Sequence, residues 1–230
     1  MRYPVVKSEK LFFLNDRSAW LSAFIGNLFT VPFVFIFKNK KYVDPNAISL
    51  MSLILFFSCS VFYLLDPTLS IFCSIGFFIS YLLDSTDGKL ARIRGKGTKF
   101  GGLLDATIDL LCHSVGLAIV SIGMCIKIGS LLPFFIFLPY LYYLGYSHLK
   151  DIFNILYANT TKKKMIPKNR WQNFCYNNGL SSYIYNDWEV VYVCILGIAI
   201  NLDNPILFLI ISIYTNLLIK IINHLKNDNF

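Results

Sequence analysis

Residues 45–83 read PNAISLMSLILFFSCSVFYLLDPTLSIFCSIGFFISYLL, which is two charge-free runs of 21 and 17 residues separated by Asp66. A helix needs about 20 predominantly apolar residues to cross the hydrocarbon core of a bilayer. The first run meets that length and the second comes close to it, and Asp66 with Pro67 is a typical turn signal. The stretch therefore predicts a helical hairpin embedded in lipid.

The rest of the chain repeats this pattern. Of its 230 residues 56% are hydrophobic and only 15% are charged, more apolar surface than one soluble core of this size can bury. A water-soluble enzyme is thereby excluded, and an all-α, polytopic membrane protein is predicted. Five further windows without a charge are Ser18–Phe37, Leu110–Ile126, Ile128–Leu149, Val190–Leu202 and Asn204–Ile219.

The distribution of basic residues favours six transmembrane helices. If all windows from Pro45 onward span the bilayer, 20 of the 21 Lys and Arg residues lie on one side and Lys127 alone lies on the other. Such a bias marks the cytoplasmic side. The net charge of +8 is then a property of cytoplasmic loops, and no nucleic-acid partner is predicted. The fifth span is placed at about residues 187–202.

The window Ser18–Phe37 does not fit this scheme as a span, because it would move four N-terminal basic residues to the outer side. It contains Pro32 and is followed by three lysines in the next four residues. We therefore interpret it as an interfacial, amphipathic helix, or a partly re-entrant one, that precedes the six spans. Asp44 and Pro45 have the chemistry of a helix start, an N-cap followed by proline at the first helical position.

Four acidic residues stand where the second span ends and the third begins: Asp84, Asp87, Asp105 and Asp109. The members of each pair are three or four residues apart and share one helix face if the helices continue through them. A short connection, Arg92 to Thr98, would make the two helices antiparallel neighbours. Carboxylates that converge at the edge of a membrane repel one another unless cations neutralise them, and hard divalent ions prefer such oxygen ligands.

An alternative is that these acids pair only with basic residues around the connection. Small residues among the acids favour a ligand site instead: Gly88 and Ala91 leave one helix face without bulk, and Gly101 allows close approach of the backbone. Close helix packing explains any one of these glycines equally well. The basic residues concerned are Lys89, Arg92, Arg94, Lys96 and Lys99.

The acids and small residues form one pattern, Asp84-Ser-Thr-Asp87-Gly88-Lys-Leu-Ala91-Arg92, eight residues, then Gly101-Gly-Leu-Leu-Asp105-Ala-Thr-Ile-Asp109. It resembles the signature of the CDP-alcohol phosphotransferase family, D-x-x-D-G-x-x-A-R-x(8)-G-x-x-x-D-x-x-x-D, at every defined position. A weaker similarity is Pro45-Asn46-Ala-Ile-Ser49, which is similar to the Pro-Asn-x-x-Thr/Ser that opens the first span in many members. Ser52 stands where those members often have glycine.

The resemblance implies a site and a set of roles. Asp84, Asp87, Asp105 and Asp109 would bind two divalent cations, Mg²⁺ or Mn²⁺, and Asp109 would also act as the general base. The family consists of six-helix integral membrane enzymes, often homodimers, with a juxtamembrane amphipathic helix. Residues 1–44 would then form a cytoplasmic N-terminus and residues 45–223 a catalytic domain, within a single membrane domain covering 1–230. The residues implied in CDP binding are Asp84, Gly88, Ala91, Arg92, Gly101 and Asn46.

The resemblance also implies a reaction. The chain would transfer a phosphatidyl group from CDP-diacylglycerol to a small polar alcohol at the cytoplasmic face of the membrane, releasing CMP in phospholipid biosynthesis. Alternatively, a soluble CDP-alcohol would be the donor and a lipid or phosphorylated polyol the acceptor. An intramembrane prenyltransferase would not require the Gly88, Ala91 and Arg92 pattern. A transporter would place its acids at the midplane rather than at one edge.

Three further positions allow two interpretations each. Asn46 could contact the nucleotide or serve in helix capping. His113, four residues after Asp109, could orient the base or the acceptor, or pack between helices. His148, with Lys150 and Asp151, could line an acceptor pocket or mark the membrane boundary.

Overall fold

The computed structural model describes residues 27–40, 42–95, 97–157 and 218, and these residues form helices and turns without any strand. A 3₁₀ turn, Pro67–Leu69, precedes the third helix, and a π-helical segment, Leu111–Gly116, joins the fourth helix to the fifth. The predicted all-α class is confirmed for this part of the chain. The helices are α1 Asn27–Phe37, α2 Pro45–Leu65, α3 Ser70–Ile93, α4 Lys99–Leu110, α5 Leu117–Ile128 and α6 Leu132–Tyr157.

Three helical stretches of this region are long and apolar enough to cross a membrane: Pro45–Leu65, Pro67–Ile93 and Lys99–Ile128. They correspond to the first three predicted spans. The window Val190–Leu202 lies outside the described residues, and of the window Asn204–Ile219 only Leu218 is described. The count of six spans therefore stays a prediction.

The first span begins and ends at the predicted residues. A carboxylate oxygen of Asp44 accepts a hydrogen bond from the backbone N–H of Asn46 at 3.3 Å, and Pro45 occupies the first helical position. Both features pre-organise a helix start, because the first N–H groups of a helix have no partner within it. At the other end, Asp66 accepts hydrogen bonds from the N–H and hydroxyl of Thr68 at 3.0 and 2.6 Å, and the chain turns into α3.

The helices on either side of the acidic residues are longer than the charge-free windows. α3 continues through both acids to Ile93, and α4 begins at Lys99, so the connection is 94–98 rather than the predicted Arg92 to Thr98. Gly95 takes a φ of +62°, a left-handed conformation that stops α3 and that glycine adopts at little cost. Thr98 caps α4 by accepting the N–H of Gly101 at 2.9 Å.

The window Ile128–Leu149 does not coincide with the bounds of one helix. α5 includes Ile128 and ends before Gly129, which has a φ of +69°, and α6 runs from Leu132 to Tyr157 with Lys150 and Asp151 inside it. A charge-free window marks where apolar residues stop, whereas a helix extends through charged residues until a turn residue ends it. α6 therefore projects well past the last residue of the window.

The short connections make neighbouring helices antiparallel and bring several helix ends together. α3 packs against α2 on one side and α1 on the other, while α6 packs against α4 and α5. The C-terminal ends of α1, α3 and α6 and the beginnings of α2 and α4 thus lie at one end of the bundle, which we call the acidic end. Buried residues from α2, α3, α5 and α6 fill the centre, including Phe56, Tyr63, Phe77, Met124, Tyr140 and Leu144.

The described part of the predicted interfacial helix is α1. Thr30 and Val34 are buried, whereas Leu28, Phe33 and Ile36 are exposed. The exposed side of this part is therefore apolar, and no charged face accompanies it within Asn27–Phe37. Residues 18–26 lie outside the described part of the chain, so the amphipathic character of the whole window stays a prediction.

Glycines allow α5 to pack closely against α2. A Cβ added at Gly123 would lie 2.9 Å from the Tyr63 ring and 3.1 Å from the Tyr63 carbonyl oxygen. A Cβ at Gly116 would lie 2.5 Å from the ring of Phe56. Small residues of this kind let helix backbones approach closely inside a membrane, where packing rather than the hydrophobic effect holds helices together.

We expect Gly123→Ala to lower the free energy of unfolding in detergent micelles by about 1–3 kcal/mol, because the backbone of α2 must shift to admit the methyl group. Gly145→Ala is the matched control, since a Cβ added at Gly145 in α6 meets nothing within 4 Å. That variant should be neutral or slightly more stable. Equal destabilisation of both variants in thermal unfolding would contradict the close contact.

Candidate metal and nucleotide site

Three of the four acidic residues come together at the acidic end. Asp84 and Asp87 lie on α3, and Asp105 and Asp109 lie on α4. One carboxylate oxygen from each of Asp84, Asp87 and Asp105 lies within 4.8 Å of the other two. Asp109 stands beside this trio and interacts electrostatically with Asp84. The two helices therefore present their acids to the same space.

The trio runs from the interior to the surface. Asp87 is only 3% exposed, Asp84 is half-buried and Asp105 is exposed. A buried carboxylate loses the water that stabilises its charge, so it requires hydrogen bonds or cations in exchange. The open side at Asp105 leaves the cluster accessible.

Ser49 supplies one of these hydrogen bonds from the neighbouring helix. Its hydroxyl donates to the Asp87 carboxylate, and it also lies 3.2 Å from the carbonyl oxygen of Pro45. Ser49 is buried and lies in the second turn of α2. It therefore fixes both the orientation of Asp87 and the register of α2 against α3. The weak Pro-Asn-x-x-Ser similarity was the sequence signal that pointed to this residue.

The basic residues of this region do not simply neutralise the acids. Arg92 interacts electrostatically with Asp87, and Lys89 with Asp84. Lys96 lies outside the described residues. The hydrogen bonds of three of the remaining cations end on uncharged oxygens: Lys89 on Thr30 and Ser85, Arg94 on four backbone carbonyls, and Lys99 on the carbonyl of Leu156. Lys89, Arg94 and Lys99 thus use these hydrogen bonds to hold neighbouring helices and connections.

The small residues lie beside the acids, each in a different environment. A Cβ added at Gly88 would lie 3.5–3.8 Å from the guanidinium of Arg92, which folds back over this glycine. A Cβ at Gly101 would lie 3.2 Å from the Thr98 hydroxyl and 3.4 Å from the side-chain oxygen of Asn46. Gly101 therefore brings the first turn of α4 against the first turn of α2. Ala91 is half-buried one turn after the second acid.

The donor set fits a hard divalent cation. Mg²⁺ binds oxygen at about 2.0–2.1 Å, so two oxygens on opposite sides of one ion are about 4.2 Å apart. One carboxylate oxygen from each of Asp84, Asp87 and Asp105 lies within 4.8 Å of the other two, which is close to the span of a single coordinated ion. Asp109 interacts electrostatically with Asp84 but does not belong to this trio.

A contact between two histidines was not predicted as such. His113 Nδ1 lies 3.0 Å from His148 Nε2, so the π-helical segment after Asp109 is joined to α6. His113 is fully buried, and His148 is half-buried. The sequence analysis considered both residues separately, but their contact depends on the packing of α6 against this segment. Lys150 and Asp151 are exposed near the end of α6.

Comparison with known proteins agrees with this arrangement. Residues 42–222 match the family described as CDP-alcohol phosphatidyltransferase. The chain is also 36% identical over 87 residues to an archaetidylinositol phosphate synthase from Pyrococcus horikoshii. That alignment covers 37% of this chain and 44% of the relative, so the chain matches less than half of the relative's length.

The family match extends over well more than half of the chain and includes all four acidic residues. Its range also includes the three apolar helical stretches that are long enough to cross a membrane. This integral membrane protein therefore belongs to the CDP-alcohol phosphatidyltransferase family.

Proposed function

We propose that the chain is a phospholipid-synthesising enzyme that transfers a phosphatidyl group from CDP-diacylglycerol to a small polar alcohol and releases CMP. The observation that carries this proposal is the trio of carboxylate oxygens within 4.8 Å of one another at one end of apolar helices. Such a cluster suits a substrate with a diphosphate at the membrane surface and acyl chains in the lipid. The family membership supports the same chemistry.

In the proposed reaction the acceptor hydroxyl oxygen attacks the phosphorus next to the lipid. A new bond forms between this oxygen and phosphorus, the bond between phosphorus and the CMP oxygen breaks, and CMP leaves with the electron pair. Asp109 accepts the proton of the hydroxyl. Two divalent cations, Mg²⁺ or Mn²⁺, held by Asp84, Asp87, Asp105 and Asp109 would neutralise the diphosphate and stabilise charge on the departing CMP.

The nucleotide would lie along the face that Gly88 and Ala91 leave open. Arg92, whose guanidinium covers Gly88, is close enough to this face to bind phosphate after a change of rotamer. Asn46 and Gly101 approach each other at the opposite edge, where the Asn46 amide can donate to or accept from the base. Asp84 would contact the CDP through the cations.

The name of the relative suggests which acceptor to test first. An archaetidylinositol phosphate synthase makes, by its name, a lipid joined to inositol phosphate. We therefore propose a polyol phosphate such as inositol phosphate as the first acceptor to test. The alternative, a soluble CDP-alcohol donor with a lipid or phosphorylated polyol acceptor, uses the same acids. It predicts release of CMP without CDP-diacylglycerol.

We further propose that the acidic end faces the cytoplasm, because 20 of 21 basic residues would lie on that side in the six-span arrangement. We also propose that the protein forms a homodimer. The variant Asp66→Cys tests the orientation, because it places a thiol at an exposed position at the opposite end of the bundle. A membrane-impermeant thiol reagent should label this cysteine on intact cells.

The experiment that tests the function measures CMP release from detergent-solubilised or membrane-bound protein with Mn²⁺. Donors are CDP-diacylglycerol and a soluble CDP-alcohol, and acceptors are inositol phosphate, inositol, glycerol 3-phosphate, serine and diacylglycerol. CMP release from CDP-diacylglycerol only in the presence of a polar acceptor supports the proposal. Release only from the CDP-alcohol supports the alternative, and no release with any pair contradicts both.

Asp109→Asn should lower kcat for CMP release by about 10²–10⁴-fold, because an amide cannot accept the hydroxyl proton. Folding should be preserved, since asparagine has nearly the same shape. Asp66→Asn, which alters an exposed acid at the opposite end, is the matched control and should keep near-normal turnover. A rate for Asp109→Asn within threefold of the unmodified protein would refute its role as the base.

Asp84→Asn and Asp105→Asn should each weaken Mn²⁺ binding at least about tenfold, since an amide oxygen carries no charge to offset that of the cation. The measurement is the electron paramagnetic resonance signal of free Mn²⁺ titrated with purified protein, which does not depend on turnover. Asp151→Asn removes an exposed acid from the end of α6 and serves as the control. Unchanged Mn²⁺ affinity in both site variants would contradict a metal site at this trio.

Ser49→Ala should weaken Mn²⁺ binding about 10- to 100-fold, because loss of the hydrogen bond leaves Asp87 without its fixed orientation. Ser49→Thr keeps the hydroxyl and should restore most of the affinity. Ser60→Ala is matched in chemistry, helix and burial, but its hydroxyl bonds only the carbonyl of Phe56 in its own helix. Similar losses in the alanine variants at both positions would show a general packing effect instead.

A further inference from the structure

Arg94, the first residue after α3, binds the connection between α1 and α2. Its Nε donates to the carbonyl oxygen of Lys38 at 3.4 Å, and its Nη2 donates to that of Lys40 at 2.8 Å. The same guanidinium also donates to the carbonyl oxygens of Phe37 and Val43. One side chain thus satisfies four backbone acceptors from a segment of seven residues.

The chemistry of this contact suits arginine. The last carbonyl groups of a helix have no partner within it and form the negative end of the helix dipole. A guanidinium is permanently charged and presents several N–H donors in one plane, whereas a lysine ammonium is a single point donor. Arg94 therefore caps α1 at Phe37 and also fixes three residues of the connection after it, Lys38, Lys40 and Val43, to the end of α3.

This connection leads directly into the candidate site. Val43 precedes Asp44, the N-cap of α2, and the first turns of α2 carry Asn46 and Ser49. Asn46 lies against Gly101, and Ser49 donates to Asp87. The placement of both side chains relative to the acids thus depends on how the connection is held.

Lys89 holds α1 at a second point. Its side chain is 1% exposed, and its Nζ lies 3.2 Å from the hydroxyl of Thr30 and 2.5 Å from that of Ser85. An ammonium group buried among apolar helices requires such oxygen partners. Thr30 is fully buried and is a polar residue in an otherwise apolar stretch of α1. The contact therefore fixes the register of α1 on α3.

We propose that Lys89 and Arg94 are positioning residues of the site, which hold α1 and the beginning of α2 against the acid-bearing end of α3. Neither residue stands at a defined position of the family signature. For its effect on turnover this inference rests on the proposed function. Its structural part and its effect on cation binding do not depend on the proposed function.

The structural part is tested by limited trypsin digestion in detergent micelles, with the N-terminal fragment that ends at Lys38 or Lys40 as the readout. Arg94→Gln should accelerate this cleavage about tenfold, because cleavage requires local opening that the lost hydrogen bonds oppose. Arg94→Lys should be intermediate. Lys99→Gln is the matched control, since it removes a cation bound to a carbonyl of α6 at the same end of the bundle.

Lys89 is tested through its partner, because a change of the buried lysine itself could prevent folding. Thr30→Val removes the hydroxyl with little change in volume and should accelerate the same cleavage about threefold, in the direction expected for one lost hydrogen bond. Lys89→Met should also accelerate this cleavage, provided that the variant folds. Unchanged cleavage in Thr30→Val would overturn the role of Lys89.

The positioning role is tested by Mn²⁺ titration of the same variants. Arg94→Gln should weaken Mn²⁺ binding about tenfold at an unchanged thermal midpoint, with partial recovery in Arg94→Lys, in the range seen when residues that orient metal ligands are replaced. The positioning role would be overturned if Arg94→Gln were cleaved faster but kept its Mn²⁺ affinity. Unchanged cleavage of this variant would also overturn it. If the unmodified protein binds Mn²⁺ but releases no CMP from any donor, only the proposed function fails.

Discussion

The mutual repulsion of carboxylates at the junction of α3 and α4 is the constraint around which this end of the molecule is built. Asp84, Asp87 and Asp105 lie within 4.8 Å of one another, and Asp109 adds a fourth charge beside Asp84. In a low-dielectric surrounding such a group is strongly unfavourable without hydrogen bonds and cations. The elements at the acidic end therefore have to supply hydrogen bonds and a place for cations. They also have to resist the tendency of α3 and α4 to separate.

Each neighbouring element contributes a different contact. α2 provides the Ser49 hydroxyl for the most buried carboxylate, and α1 is fixed to α3 through Thr30 and Lys89. α6 accepts a hydrogen bond from Lys99 at the beginning of α4 through the carbonyl of Leu156, at 3.0 Å. The hydrogen bonds of Lys89, Arg94 and Lys99 thus go to carbonyl and hydroxyl oxygens. Arg92 instead interacts electrostatically with Asp87.

Much of this arrangement could be predicted from the sequence because it depends on local signals. The charge-free window has the same first and last residues as α2, because Asp44 and Pro45 start the helix and Asp66 ends it. Helical spacing placed the acids on facing sides of two helices joined by a short connection. By contrast, the window for α6 ended too early, because absence of charge marks the lipid boundary and says nothing about where a helix stops.

Contacts between elements distant in sequence could not be predicted in the same way. Thr30 and Lys89 are 59 residues apart, and the π-helical segment after Leu110 has no local sequence signal that we can identify. A π-helical segment rotates the residues that follow it relative to a regular helix. The contact of His113 with His148 joins this segment to α6, and the two residues are 35 positions apart in the sequence.

The hydroxyl groups buried between α2 and α3 connect the site to the membrane-embedded part of the hairpin. The Ser80 hydroxyl donates to the carbonyl of Ser52 at 2.8 Å, and the Ser52 hydroxyl donates to the carbonyl of Ser49 at 2.7 Å. Small polar residues allow close helix approach and hydrogen bonds in lipid. A glycine at position 52, common in the family, would lack the second of these bonds. Ser52 therefore gives this chain a hydroxyl contact to the backbone of the residue that orients Asp87, and the Ser80 hydroxyl ties the same turn of α2 to α3.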